Sequence, residues 1–150
     1  MGPLLTAVRD RLKDQVPALG GRVYAVAEES LLPQEAAFPC GTVRDGGTEL
    51  IESNTAQRLA RHSVIVSLYV SNLRDVEAPV LGDGATPGIE ALTDESVTAL
   101  TDWIPAAPAN LLDAVRPVAI GPTELFLEVE GAREIVRKGV TWLYRQKPSI

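Results

Sequence analysis

Ser63-Val64-Ile65-Val66-Ser67-Leu68-Tyr69-Val70-Ser71 decides the fold. Val64, Val66, Leu68 and Val70 share one parity; Ser63, Ser67 and Ser71 share the other, with Ile65 and Tyr69 between them. Side chains alternate sides along a strand, so this period of two predicts a β-strand with one face buried on a core. The opposite face is small and uncharged. Such a face suits covering by a loop, a helix or a neighbouring subunit.

Upstream, Pro3 to Gln15 predicts a helix. Leu4, Leu5, Val8 and Leu12 fall on one stripe, and Arg9, Asp10, Lys13 and Asp14 face away from it. Pro3 suits a first helical turn, and Pro17 with Gly20-Gly21 stops the helix. Residues 22–26 predict a short strand and 27–37 a loop. Phe38–Arg44 and Thr48–Ser53 predict two strands around Asp45-Gly46-Gly47, a turn sequence because glycine accepts positive φ.

Downstream, residues 74–88 read as a long loop. A helix is expected over 87–104 on the stripe Ile89, Leu92, Val97, Leu100 and Ile104, with Thr86 as its cap and Pro105 and Pro108 ending it. The chain closes in strands: Val115–Ile120, then a hairpin. Its first arm alternates Leu125, Leu127 and Val129 with Phe126, Glu128 and Glu130. Its second arm is Arg133–Arg145, with Val136, Val140, Trp142 and Tyr144 on one parity and Gly139 as a candidate bulge. Short connections between strands predict a mainly antiparallel sheet with two principal helices on one face, a single α+β domain over residues 1–150.

Charge is unevenly spread over the 150 residues. Residues 1–74 hold eight acids and eight bases; 75–130 hold eleven acids and only Arg116; 131–150 hold Arg133, Arg137, Lys138, Arg145 and Lys147 against Glu134. A net charge of −6 thus conceals a −10 block followed by a +4 block. A subunit polarised this way attracts a copy of itself head to tail, and such contacts close into a ring when the rotation permits. The plainer reading is that both blocks are solvated faces. An isoelectric point near 4.8 argues against tight phosphate binding but suits a surface past which DNA must slide. No apolar run approaches the ~18–20 residues of a membrane span. Met1-Gly2-Pro3-Leu4-Leu5 lacks the basic-then-apolar pattern of a secretory signal.

Catalytic patterns are sparse. His62 is the single histidine and Cys40 the single cysteine, so no disulfide forms within the chain and only folding would join the two as base and nucleophile. Asp94 and Glu95 point about 100° apart on a helix. Glu124, Glu128 and Glu130 share a strand face that would suit a divalent cation, although ion pairs to the returning strand are commoner. No phosphate cradle, zinc pattern or nucleophile elbow is present. No cofactor, metal or catalytic residue is expected, and a binding or structural role is favoured over an enzyme.

Several phrases carry a resemblance: Val16-Pro17-Ala18-Leu19-Gly20-Gly21-Arg22-Val23-Tyr24; a polar loop with Pro33, Gln34 and Glu35; Ala37-Phe38-Pro39-Cys40 opening a strand; the basic-started strand Arg61 to Val70; the acidic helix; and the closing Arg137-Lys138-Gly139-Val140-Thr141-Trp142. Over most of its length the chain resembles the tail terminator (tail completion) proteins of long-tailed bacteriophages and prophage-like particles. Pro105 to Ala114 departs from the pattern. The resemblance implies a non-enzymatic virion protein, assembled in the host cytoplasm, that forms a ring, usually of six, at the head-proximal end of the tail. Its implied partners are its own copies, the tail tube protein and the head–tail connector, with no membrane; DNA passes through the lumen without specific binding. Another neck or connector protein, a small enzyme and a monomeric binding module are the alternatives. Candidate subunit contacts are Arg133, Arg137, Lys138 and Arg145, the acids Glu124, Glu128 and Glu130, and the serines Ser63, Ser67 and Ser71.

Overall fold

The computed structural model describes residues 1–28, 37–52, 58–71, 77–83, 86–112, 116–128 and 133–147, and their side chains except at 52, 58, 126–128 and 133. The elements run α1 (Gly2–Gln15), a 3-10 turn (Pro17–Leu19), β1 (Val23–Ala25), β2 (Cys40–Glu52), β3 (Arg58–Ser71), α2 (Ala78–Leu81), α3 (Ile89–Leu100), β4 (Pro117–Ile120), β5 (Glu124–Glu128) and β6 (Arg133–Gln146). The fold is α+β: one six-stranded sheet in the order β1-β2-β3-β6-β4, with β5 also on β6. Every strand pair is antiparallel except β1 with β2.

β3 is the centre. Val64, Val66, Leu68 and Val70 are buried on the side that bears the helices. Register aligns Val43, Val66 and Val140 in one row and sets Val70 against Val136 and Val64 against Trp142. α1 adds Leu4, Val8 and Leu12, and α3 adds Ile89, Leu92, Ala99 and Leu100, to the same core. Each fully buried Val or Leu side chain contributes about 1.5–3 kcal/mol relative to exposure. Trp142 and Tyr144 close the core under the helices. Neither the Trp142 Nε1 nor the Tyr144 hydroxyl has a hydrogen-bond partner among the described residues. Burial pushes the Tyr144 hydroxyl well above its ordinary 10.0 and keeps it protonated.

Four expectations need correction. Asp45-Gly46-Gly47 is not a turn between two strands. β2 runs straight through it with a bulge: Asp45 faces Val64 and Gly47 faces Ser63, leaving Gly46 extra. Gly47 adopts φ 108 and its amide donates to Asp45 Oδ1 at 2.7 Å, a local bond that holds the bulge. The loop over 74–88 contains α2. The second principal helix is shorter than 87–104, and Gly88 rather than Thr86 is its N-cap residue. It ends at Leu100 because Thr101 turns extended and Asp102 takes φ 59. Its buried stripe also includes Thr93 and Ser96; the Thr93 hydroxyl is satisfied by Ile89 O at 2.7 Å, while Ile104 lies 40% exposed. Gly139 makes no bulge, since β3 and β6 pair without interruption through Ser67 and Gly139; the irregularity falls in β4, between Pro117 and Ala119.

The phrases from Leu19 to Tyr24 and from Ala37 to Cys40 meet in space. Arg22 Nε donates to Pro39 O at 2.9 Å, the Gly41 amide donates to Arg22 O at 2.9 Å, and β1 then runs parallel to Gly41–Val43. Phe38 and Tyr24 pack against Cys40, Tyr69 and Ile135, so a second small cluster covers one end of the helix-free face.

Gly88 sits where α2 abuts α3. A Cβ there would overlap the Val80 carbonyl and the Gly82 amide, both backbone atoms. Gly88→Ala should therefore cost about 1–3 kcal/mol in urea denaturation, whereas Gly2→Ala, which meets nothing within 4 Å, should leave the midpoint unchanged.

Candidate functional site

The basic strand β6 has two faces, and they treat its charges differently. Lys138 shares the parity of Val136, Val140 and Trp142, so it points toward the helices. Its Nζ donates to both carboxylate oxygens of Glu90 on α3, at 2.7 and 2.9 Å. Thr123 Oγ1 donates to the same Glu90 Oε1 at 3.0 Å. The Lys138 bond, then the Thr123 bond, hold the Glu90 carboxyl below the usual range. This trio ties α3 to the sheet and to the segment between β4 and β5.

Arg137 points to the helix-free face, where its Nη2 donates to Glu124 Oε2 at 2.9 Å, directly across the β5–β6 ladder. Two of the candidate interface bases are thus paired within the chain, each with an acid from the −10 block. Glu128 stands opposite Arg133 in register; Glu130 lies outside the described residues. Arg145 is exposed and has no side-chain partner among the described residues, and Lys147 beyond it is likewise exposed. Arg145 faces Arg61 of β3, whose Nη2 lies 3.7 Å from Glu49 of β2.

The three serines divide. Ser67 is buried and its hydroxyl has no partner among the described residues, while Ser63 and Ser71 are half-buried. Between the covered end and the Arg61 row, the helix-free face holds a groove lined by Arg44, Ile65, Thr141, Gly121, Glu124 and Arg137.

Cys40 and His62 are not brought together. Cys40 pairs with Tyr69, whereas His62 lies seven residues back along β3, about 20 Å away at strand rise. His62 is instead structural. Nε2 lies 2.8 Å from Gln146 Oε1, an acceptor, so that nitrogen donates; Nδ1 then accepts from Thr48 Oγ1 at 2.8 Å. Gln146 Nε2 donates onward to Ala109 O at 2.9 Å. The segment 105–112, which the sequence left without a place, is docked on the end of β6 by this chain and by the bonds Leu112 N to Arg145 O and Lys147 N to Asn110 O. No sequence pattern signals a His–Gln contact 84 residues apart. Among the described residues no three His, Cys, Asp or Glu side chains gather as a metal site would require.

Two outcomes are expected. His62→Ala should destabilise the fold by about 1–3 kcal/mol, because Thr48 and Gln146 lose a shared buried partner, as urea denaturation would show. A carboxyl whose pKa is lowered on folding stabilises above its unfolded value and ceases to as pH falls through its folded value. Glu90→Gln should therefore be less stable than wild type at neutral pH, within ~1 kcal/mol because the site is part-exposed. The difference should vanish as pH drops below the ordinary 4.5 of a glutamate; thermal melts of both proteins across that range would show it.

No protein-family model and no curated protein matches the chain. Among solved structures, it is similar to a chain of the "Virion of native gene transfer agent (GTA) particle". The TM-score is 0.54 and the identity 18%, over 98% of this chain and 96% of that one. At that identity the likeness is one of fold, and it spans both chains almost end to end.

Proposed function

We propose that this chain is a structural protein of a phage-like virion, and specifically a tail terminator: a ring, of about six copies, at the head-proximal end of the tail tube. There it ends tube growth and presents the surface that the head connector binds. The observation that carries this reading is the end-to-end fold likeness to a chain of a gene transfer agent virion. The tail-terminator resemblance of the sequence supports it, as does the engagement of His62 and the separate placement of Cys40, which leave neither poised for catalysis. A ring requires two different complementary patches per subunit, and the charge asymmetry of the chain provides opposite signs for them.

Mixing the purified protein with tube protein and measuring mass, with negative-stain imaging of tube ends, tests the proposal. Rings capping tubes of uniform length are expected. A chain that stays monomeric beside growing tubes overturns it, and a ring that binds the connector without affecting tube length moves it to the neck.

A further inference from the structure

We infer that neighbouring copies in the ring meet through Arg145 and Lys147 at the end of β6 on one copy and Asp94 and Glu95 of α3 on the next; this rests on the ring reading above. The assignment follows from which charges the fold leaves over. Lys138 is held by Glu90 and Arg137 by Glu124, so the middle of the basic strand is matched within its own subunit. Arg145, Lys147, Asp94 and Glu95 are exposed and make no side-chain ion pair among the described residues.

Arg145 is in tension where it stands. It lies directly across the ladder from Arg61, and like charges in that position destabilise a strand pair. Glu49 lies on the far side of Arg61 at 3.7 Å, leaving Arg145 without an acid of its own. An acid from outside the subunit would relieve this.

Asp94 and Glu95 belong to the exposed stripe of α3, with Ala91 and Thr98, which contains no base. They border a groove between α1 and α3 floored by Pro17, Thr98 and Ala99. Arg11 also lines that groove, but its Nε donates to Ala99 O at 3.0 Å and its guanidinium sits 5.2 Å from the Trp103 ring centre. The groove therefore presents uncommitted negative charge beside small side chains that a neighbour's backbone can approach.

The two sets cannot satisfy each other within one subunit. Tyr144 is buried under the helices, so Arg145, the next residue, points to the helix-free side. Asp94 and Glu95 stand on the outside of the helical layer. Opposite charges on opposite sides of a two-layer subunit pair only between copies, and they do so head to tail. Exposed pairs of this kind contribute little affinity, so they set orientation and salt dependence while apolar contact supplies most of the binding.

Charge reversal tests the contact, with tube protein present and assembly followed by native mass measurement. Arg145→Glu with Lys147→Glu should raise the concentration needed for rings about tenfold at low salt, and Asp94→Lys with Glu95→Lys should do the same. Lys13→Glu, an equivalent change on α1, should not. The fourfold exchange should restore rings, and an equal mixture of the two reversed proteins should form rings in which they alternate. All these positions are exposed, so no melting temperature should fall below wild type, and Arg145→Glu should raise it slightly by placing an acid opposite Arg61. Rings of either reversed protein at wild-type concentration, or no recovery in the mixture, overturn the contact. So does a basic-end variant whose only defect is weaker DNA association. If the wild-type protein makes no ring at all, the ring reading itself fails and the contact with it.

Discussion

Burial of alternate side chains along β3, with a long partner strand on each side, is the constraint on which the molecule depends. Val64, Val66, Leu68 and Val70 must all face the helices, and a one-residue slip of either neighbour would turn that neighbour's own apolar set outward. The registers of β2 and β6 are therefore fixed together. Once they are fixed, Val43, Val140, Trp142 and Tyr144 form the floor on which α1 and α3 lie. The Glu90–Lys138–Thr123 trio then sets α3 against that floor at its N-terminal end.

The same constraint explains what could be read in advance. β6, α1 and residues 63–71 of β3 have unbroken periods, and each was legible from its apolar spacing; the first part of β3, Arg58–His62, has no such alternation and fell outside the strand read from it. β2 was not, because its bulge shifts phase. Val43 faces the core from an odd position before Gly46, while Thr48 and Leu50 share the His62 and Ala60 rows from even positions after it. A strand that changes parity midway looks like two strands with a turn between. α2 and the true start of α3 depend on the close approach of Gly88 to Val80, which is tertiary and has no local signature. The buried Thr93 and Ser96 disguised the core stripe of α3, since a polar residue reads as outward; the bond that lets Thr93 face inward, to Ile89 O, is not visible in the sequence.

Of the candidate contact residues, the sequence showed the sign of the charge but not its state of pairing. Glu90 and Lys138 are 48 residues apart and Glu124 and Arg137 thirteen, yet both pairs close within the chain. The hairpin offered the second pairing as a local possibility. The first required knowing that α3 crosses β6. The surplus charge is thus smaller than the block totals, and it sits at the ends and outer surfaces of the elements.

The two ladders of β3 also give the molecule a mechanical grain. β3 is joined to β2 from Cys40–Tyr69 to Glu52–Arg58 and to β6 from Ala60–Gln146 to Ser71–Ile135, so a pull along the strand direction loads long rows of hydrogen bonds in shear, all at once. β1 is held to β2, and β4 to β6, by only three register pairs each. The long central ladders are accordingly the stiff direction of the molecule, and its short edge strands β1 and β4, with the fewest bonds to break, resist such a pull least.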